Sequence, residues 1–185
     1  MNAFRLLPLF FLCALACKSQ ERTTGTYTAY TGATIIDGNG GTPIPDGVLL
    51  VRDGKVVAVG TKEDIPIPDD VTRRDVSGKT IMPGIINAHG HVGDVQGIEG
   101  GHYSAQTLQD NLALYARYGV TTVVSLGGDQ AAAVPLRAVN DTTATQRARL
   151  FIAGEVISGK TPAHALAVVD KNTAVGVDFT KIRVD

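Results

Sequence analysis

The run Ile81-Met82-Pro83-Gly84-Ile85-Ile86-Asn87-Ala88-His89-Gly90-His91-Val92 constrains this chain more than any other stretch of it. It is apolar, carries a Pro-Gly pair near its start and ends in two histidines one residue apart. Read as a β-strand, its side chains alternate between faces, so His89 and His91 point the same way. Two adjacent imidazoles are a ready pair of ligands for Zn²⁺ or a similar ion. The opposite face carries Ile86, Ala88 and Val92 and is expected to pack against helices. Gly90 removes bulk between the two histidines and lets the backbone bend. The same tripeptide also occurs as two surface histidines on a strand end, so its neighbours have to discriminate.

Ahead of the strand lies a polar turn, Ser77-Gly78-Lys79-Thr80. Turn, Pro-Gly and His-x-His, in that order over about fifteen positions, resemble the signature that opens the catalytic barrel of the metal-dependent amidohydrolase superfamily. The resemblance implies an α/β fold. A small β-sandwich portion comes first, followed by a TIM-like (β/α)₈ barrel with His89 and His91 as metal ligands. It also implies one or two divalent ions, Zn²⁺ first among them, and an activated water that attacks an amide, lactam or ester carbonyl.

Length qualifies that expectation. The chain has 185 residues, and a complete barrel needs about 250. The stretch 81–185 accommodates the first half of such a barrel, roughly four strand–helix units. The chain therefore reads as the N-terminal part of a longer protein or as a truncated product, and the 185 residues alone are expected to be inactive. A net charge of −1 gives no basis for binding nucleic acid.

Residues 1–16 have the form of a secretory signal peptide: Arg5, an apolar run from Leu6 to Leu15, and small residues before the expected cleavage point. Cys17 follows directly and resembles the lipidated cysteine of a bacterial lipoprotein, although Ala14 stands where leucine is commoner. Lipid attachment at Cys17 and plain cleavage to a soluble periplasmic protein both stay open. Cys13 and Cys17 are the two cysteines, so the remainder has no disulfide framework. Residues 17–26 read as a polar tether.

Residues 27–80 read as a β module. A strand is expected over 28–36, and Asp53-Gly54 between two β-rich runs signals a hairpin. A further short strand is expected over 71–76. The cluster Asp37-Gly38-Asn39-Gly40-Gly41 lacks the spacing and the following helix of a nucleotide-binding loop, and reads as a turn.

Beyond His91 the pattern alternates strand and helix. A glycine-rich loop, 93–101, leads to His102, read as a loop histidine that could reach substrate. Ser104 is the expected cap of a helix over 107–118 that has Leu108, Leu112, Leu114 and Tyr115 on or near one face and ends at Gly119. Strands follow at 120–126 and 149–154, separated by a helix over 131–140 with Pro135 in its first turn. Many amidohydrolases carry Arg-Asp where this chain has Val124-Ser125. Asp129 reads as the cap of the next helix or a polar residue at the strand exit, Glu155 as a solvated carboxylate or an acid, and His164 as a loop residue before a helix over 165–175.

A fourth strand is expected over 176–184, with Lys181 inward. A lysine there is costly unless paired or neutralised. The Gly-x-Asp-x-x-Lys-Ile pattern resembles the amidohydrolase strand whose lysine reacts with CO₂ to give a carbamate bridging two ions, while a solvent-facing lysine is the plain alternative. The strand resembles the imidazolonepropionase-like and prolidase-like branches. It implies a hydrolase of carbon–nitrogen bonds acting on a cyclic or other non-peptide amide, with a metallo-dipeptidase or a non-catalytic lipoprotein remnant as alternatives.

Overall fold

The computed structural model describes residues 26–140, 146–158 and 161–184. The expected signal peptide, Cys17 and the tether up to residue 25 lie outside the described residues.

Five strands form the first sheet: β1 (Tyr27–Ile35), β2 (Ile44–Arg52), β3 (Lys55–Gly60), β4 (Thr72–Asp75) and β5 (Thr80–Ile81). Their order is β3-β2-β1-β4, with β5 also paired to β1. The β2–β3 hairpin turns on Asp53 and Gly54, both at positive φ (49° and 76°), as a two-residue turn matched to strand twist requires. β4 and β5 run parallel to β1, one after the other along the same edge. The turn between them presses on Gly32, where a Cβ would stand 2.3 Å from Ser77 Oγ at a φ of +87°. Ala29, Ala33, Ile35, Val48 and Leu50 are buried on this sheet.

The run 81–92 is not one strand. Ile81 ends β5 in the first sheet, residues 82–84 carry no strand, and β6 (Ile85–Gly90) opens a second sheet. The Pro-Gly pair accounts for the break, since Pro83 has no N–H to donate to a ladder.

β6, β7 (Val120–Ser125) and β8 (Arg149–Ile152) form a parallel sheet in that order. The helices α1 (Ala105–Arg117), α2 (Ala133–Ala138) and α3 (Pro162–Val175) alternate with the strands. Ser104 caps α1, its Oγ accepting from the Thr107 N–H at 3.0 Å. Leu108 and Leu112 of α1 pack with Val92, Val123, Ala133, Leu150 and Ile152 in one core. Leu114 lies off that face and is exposed. Ile86 and Ala88 are exposed too, against expectation. β6 is an outer strand and α1 packs over β7, so that end of β6 has no helix above it. α3 starts earlier than expected, with Pro162 in its first turn, so His164 belongs to a helix and not to a loop.

No fourth strand forms over 176–184. The segment lies beside β8, but the pairing reduces to one parallel bridge, Ile157 with Ile182. Asp178 N–H donates to Ile152 O at 2.9 Å, and Ile157 N–H to Lys181 O at 2.9 Å. Between these anchors Gly154 takes a φ of +70° and turns the third strand out of the extended conformation a ladder needs.

What holds the segment is Asp178. Its carboxylate accepts two hydrogen bonds from Arg137 of α2, each 2.7 Å, and one from the Ile152 N–H at 3.0 Å. The two-point pairing raises the Arg137 pKa further above its ordinary value, the hydrogen bond contributing most. Asp178→Ala leaves a guanidinium and a backbone N–H without their acceptor. It should lower stability by about 2–3 kcal/mol, measured by urea unfolding, whereas Lys181→Ala should cost far less.

A candidate metal centre at the strand exits

β6 does not run straight to its histidines. Asn87 pairs with Val123 and Gly90 with Ser125, so three steps along β6 match two along β7. The extra residue makes a β-bulge, a device that re-aims side chains at strand ends. Within it, His89 N–H donates to Asn87 Oδ1 at 3.1 Å, and Asn87 Nδ2 donates to the Tyr115 hydroxyl of α1 at 3.3 Å. Gly90 is buried against β7, and a Cβ there would stand 2.7 Å from Val123 Cγ1. The glycine therefore serves the contact with β7 as well as the bend between the histidines. Past the bulge, the rings of His89 and His91 lie with centres 5.5 Å apart, tilted by 55°.

Lys181 comes to the same place through Gly127. His91 Nδ1 lies 3.3 Å from the Gly127 carbonyl oxygen. That oxygen only accepts, so the contact is a hydrogen bond when Nδ1 carries the proton, which leaves Nε2 for an ion. On the other side of Gly127, a Cβ would stand 3.5 Å from Lys181 Cγ and 2.3 Å from Val156 Cγ2. The lysine stem and His91 thus pack on one glycine at the exit of β7.

The other polar candidates go elsewhere. His102 is exposed, 3.9 Å from the Glu99 carboxylate. Asp129 does not cap α2, which has no side-chain cap. Its Oδ2 accepts from the Ala153 and Gly154 N–H groups at 2.9 and 3.0 Å and ties the exits of β7 and β8 together. Glu155 pairs with Lys171, whose hydrogen bond and then charge hold its carboxyl below the usual range, with a smaller contribution from His164. It is the solvated carboxylate of the plainer expectation. A cleft of about 690 Å³ beside the strand exits is lined by Asp129, Glu155, Lys171 and Asn172, and includes neither histidine nor Lys181.

Two imidazoles sharing a tetrahedral ion at about 2.1 Å from each nitrogen have ring centres about 5 Å apart. The 5.5 Å separation of His89 and His91 fits such an ion. Among the described residues no three His, Cys, Asp or Glu side chains cluster. The local donors are therefore two imidazoles and, from Lys181, a primary amine.

No family model matches the chain. Over 80 residues, 43% of this chain, it is 34% identical to the enamidase of Eubacterium barkeri, matching 19% of that enzyme. The solved structure of molinate hydrolase aligns with 72% of this chain at 31% identity and a TM-score of 0.60. A Bifidobacterium longum protein described as a prolidase aligns with 86% at 28% identity and a TM-score of 0.72. The chain belongs to the amidohydrolase superfamily. It spans 31% and 41% of the lengths of the two aligned structures. Its superfamily relatives are hydrolytic enzymes.

At three positions that organise this candidate site the sequence does not announce the contact that matters. Asn87 reads as one more residue of an apolar strand until its contact with the His89 N–H is seen. Gly127 stands in a Gly-Gly pair that, with the Gly-Val-Thr-Thr-Val start, resembles the family's strand but does not say what packs on it. Asp178 is visible in the Gly-x-Asp-x-x-Lys-Ile pattern, but its partner Arg137 is 41 residues away.

Gly127 adopts a φ of +101°, which side-chain-bearing residues rarely take, and has Val156 where a Cβ would go. Gly127→Ala should therefore lower stability by about 2 kcal/mol or more. Thermal unfolding checks this, and Gly128→Ala, also at positive φ but with open space around it, isolates the contribution of the Val156 overlap.

Proposed function

We propose that this chain is the front part of an exported, metal-dependent amidohydrolase that cleaves the carbon–nitrogen bond of a small cyclic or other non-peptide amide. The supporting observation is the convergence of His89, His91 and the Lys181 stem at the exits of neighbouring parallel strands. Barrel enzymes place their chemistry at that end of the strands. In this reading the second sheet and the 176–184 segment are the first half of a TIM-like barrel, and the five-stranded sheet is a portion of a β-sandwich. The 86% alignment with the Bifidobacterium longum protein supports both assignments.

His89 and His91 would hold a divalent ion, Zn²⁺ first, and Lys181, as a carbamate formed with CO₂, would be the further donor for one or two such ions. Such an ion supplies Lewis-acid activation of water and of the substrate carbonyl. The chain's own residues orient the donors: Gly127 O holds the His91 Nδ1 proton, and Asp178 anchors the segment that carries Lys181. The partner is a small amide, and the chain itself would be attached to a membrane if Cys17 carries lipid. A metallo-dipeptidase acting on proline-containing dipeptides is the second reading, favoured by the likeness to the protein described as a prolidase.

Elemental analysis of the parent and of His89→Ala, His91→Ala and Lys181→Ala tests the site. Either histidine variant should lose the divalent ion. Added bicarbonate should raise metal content in the parent and leave Lys181→Ala unchanged. Full metal content in both histidine variants would sink the reading, and a response to bicarbonate in Lys181→Ala would remove the carbamate from it.

Export has its own test. Mass spectrometry of the mature chain should find Cys17 as the first residue, with or without a diacylglycerol adduct. A mature protein that keeps Met1 excludes this part of the proposal.

A further inference from the structure

We infer that Asn87 is a positioning residue for the ligand pair, its side-chain amide setting the bulge that aims His89. The inference rests on the metal reading above. In an unbroken strand, side chains of period two put residues 87 and 90 on opposite faces. Here both lie on the α1 side. Asn87 Nδ2 reaches the Tyr115 hydroxyl, and a Cβ on Gly90 would stand 3.2 Å from that same Nδ2 and 2.7 Å from Val123 Cγ1. The change of face occurs across Ala88 and His89, where the β7 register skips. It leaves the two histidines flanking Gly90 to pair with each other at 5.5 Å.

The amide is built for this junction. A backbone N–H can only donate, so the group facing His89 N is the oxygen. The NH₂ then faces Tyr115, whose hydroxyl accepts. Asn87 therefore joins the His89 backbone to α1, a helix whose Leu108 and Leu112 are fully buried. An exposed imidazole gains its orientation from the core through one half-buried amide. Asn87 touches neither ion nor substrate in this account. It acts through the backbone of His89.

Cobalt titration of the full chain, followed by electronic absorption, tests this on the parent, Asn87→Ala, Asn87→Asp and Tyr115→Phe, with His89→Ala as reference. Removing a group that orients a ligand typically weakens metal binding 10–100-fold. Asn87→Ala should weaken Co²⁺ binding by about tenfold and alter the absorption band. Asn87→Asp keeps an acceptor for the His89 N–H and should retain the parent band and affinity. Tyr115→Phe removes one of the two anchors and should give a smaller loss than Asn87→Ala. A parent-like Asn87→Ala, or an Asn87→Asp that loses as much as Asn87→Ala, overturns the inference while leaving the metal site standing. A parent that binds no better than His89→Ala overturns the metal reading and this inference with it. If Asn87→Ala does not fold, Asn87→Asp and Tyr115→Phe decide: both losing the parent band and affinity alike overturns the inference.

Discussion

Parallel pairing governs where chemistry can occur in this molecule. Strands that run the same way need a crossover between each pair, so every strand of the second sheet leaves at the same end. The exits of β6 and β7 and the 181–183 segment are therefore neighbours although their residues are far apart in sequence. His91, Gly127 and Lys181 meet because of this constraint. The helices supply the core that makes the sheet stable: Leu108, Leu112, Val123, Leu150 and Ile152 are buried together behind the strands. Core and site thus occupy different regions of one sheet. Changes in packing reach the site only through the few residues that connect them.

Those connecting residues explain what could be read from the sequence and what could not. The β2–β3 hairpin was legible in Asp53-Gly54, the start of α1 in Ser104 and its end in Gly119, because local chemistry dictates each of them. The proximity of His89 and His91 was legible because two side chains separated by one residue remain neighbours under almost any extended conformation. The single strand drawn through residues 81–92 failed at Pro83, where an apolar run passes from one sheet to another without losing its hydrophobicity. The helix-facing role given to Ile86 and Ala88 failed for a related reason. Alternation says which residues share a face, but the cover on that face is decided by which strand the helix packs over. The fourth strand failed because its would-be partner turns at Gly154, where the φ of +70° and the Asn172 and Val177 side chains packed where a Cβ would go both require glycine. Asp129 and Asp178 bind backbone groups 24 and 26 residues away, and no local pattern encodes such distances.

The two halves of the candidate site are supported in different ways, and this bears on how they can be preorganised. His89 and His91 are exposed, so burial contributes little to fixing their rings. Fixing a side chain costs conformational entropy, and a single net hydrogen bond returns only about 1 kcal/mol. The His91 ring has one such bond, to the Gly127 carbonyl, and at His89 it is the backbone N–H that is held, by Asn87 Oδ1. Their geometry then depends on backbone placement: the bulge in β6 sets the directions of the Cα–Cβ bonds before any ring contact forms.

Lys181 depends on a longer chain of contacts. Its carbonyl is tied to Ile157, and three residues earlier Asp178 is clamped to Arg137 of α2 and to the end of β8. A carboxylate that accepts a two-point guanidinium pair and a backbone N–H is among the stronger polar contacts available. It fixes the segment where a regular ladder is missing. The lysine stem then needs only a smooth surface to lie against, and Gly127 offers one because it has no side chain. A larger residue there would overlap Val156 and press on the lysine stem. The glycine is thus the point at which a locally supported pair of imidazoles and a remotely supported lysine stem come together.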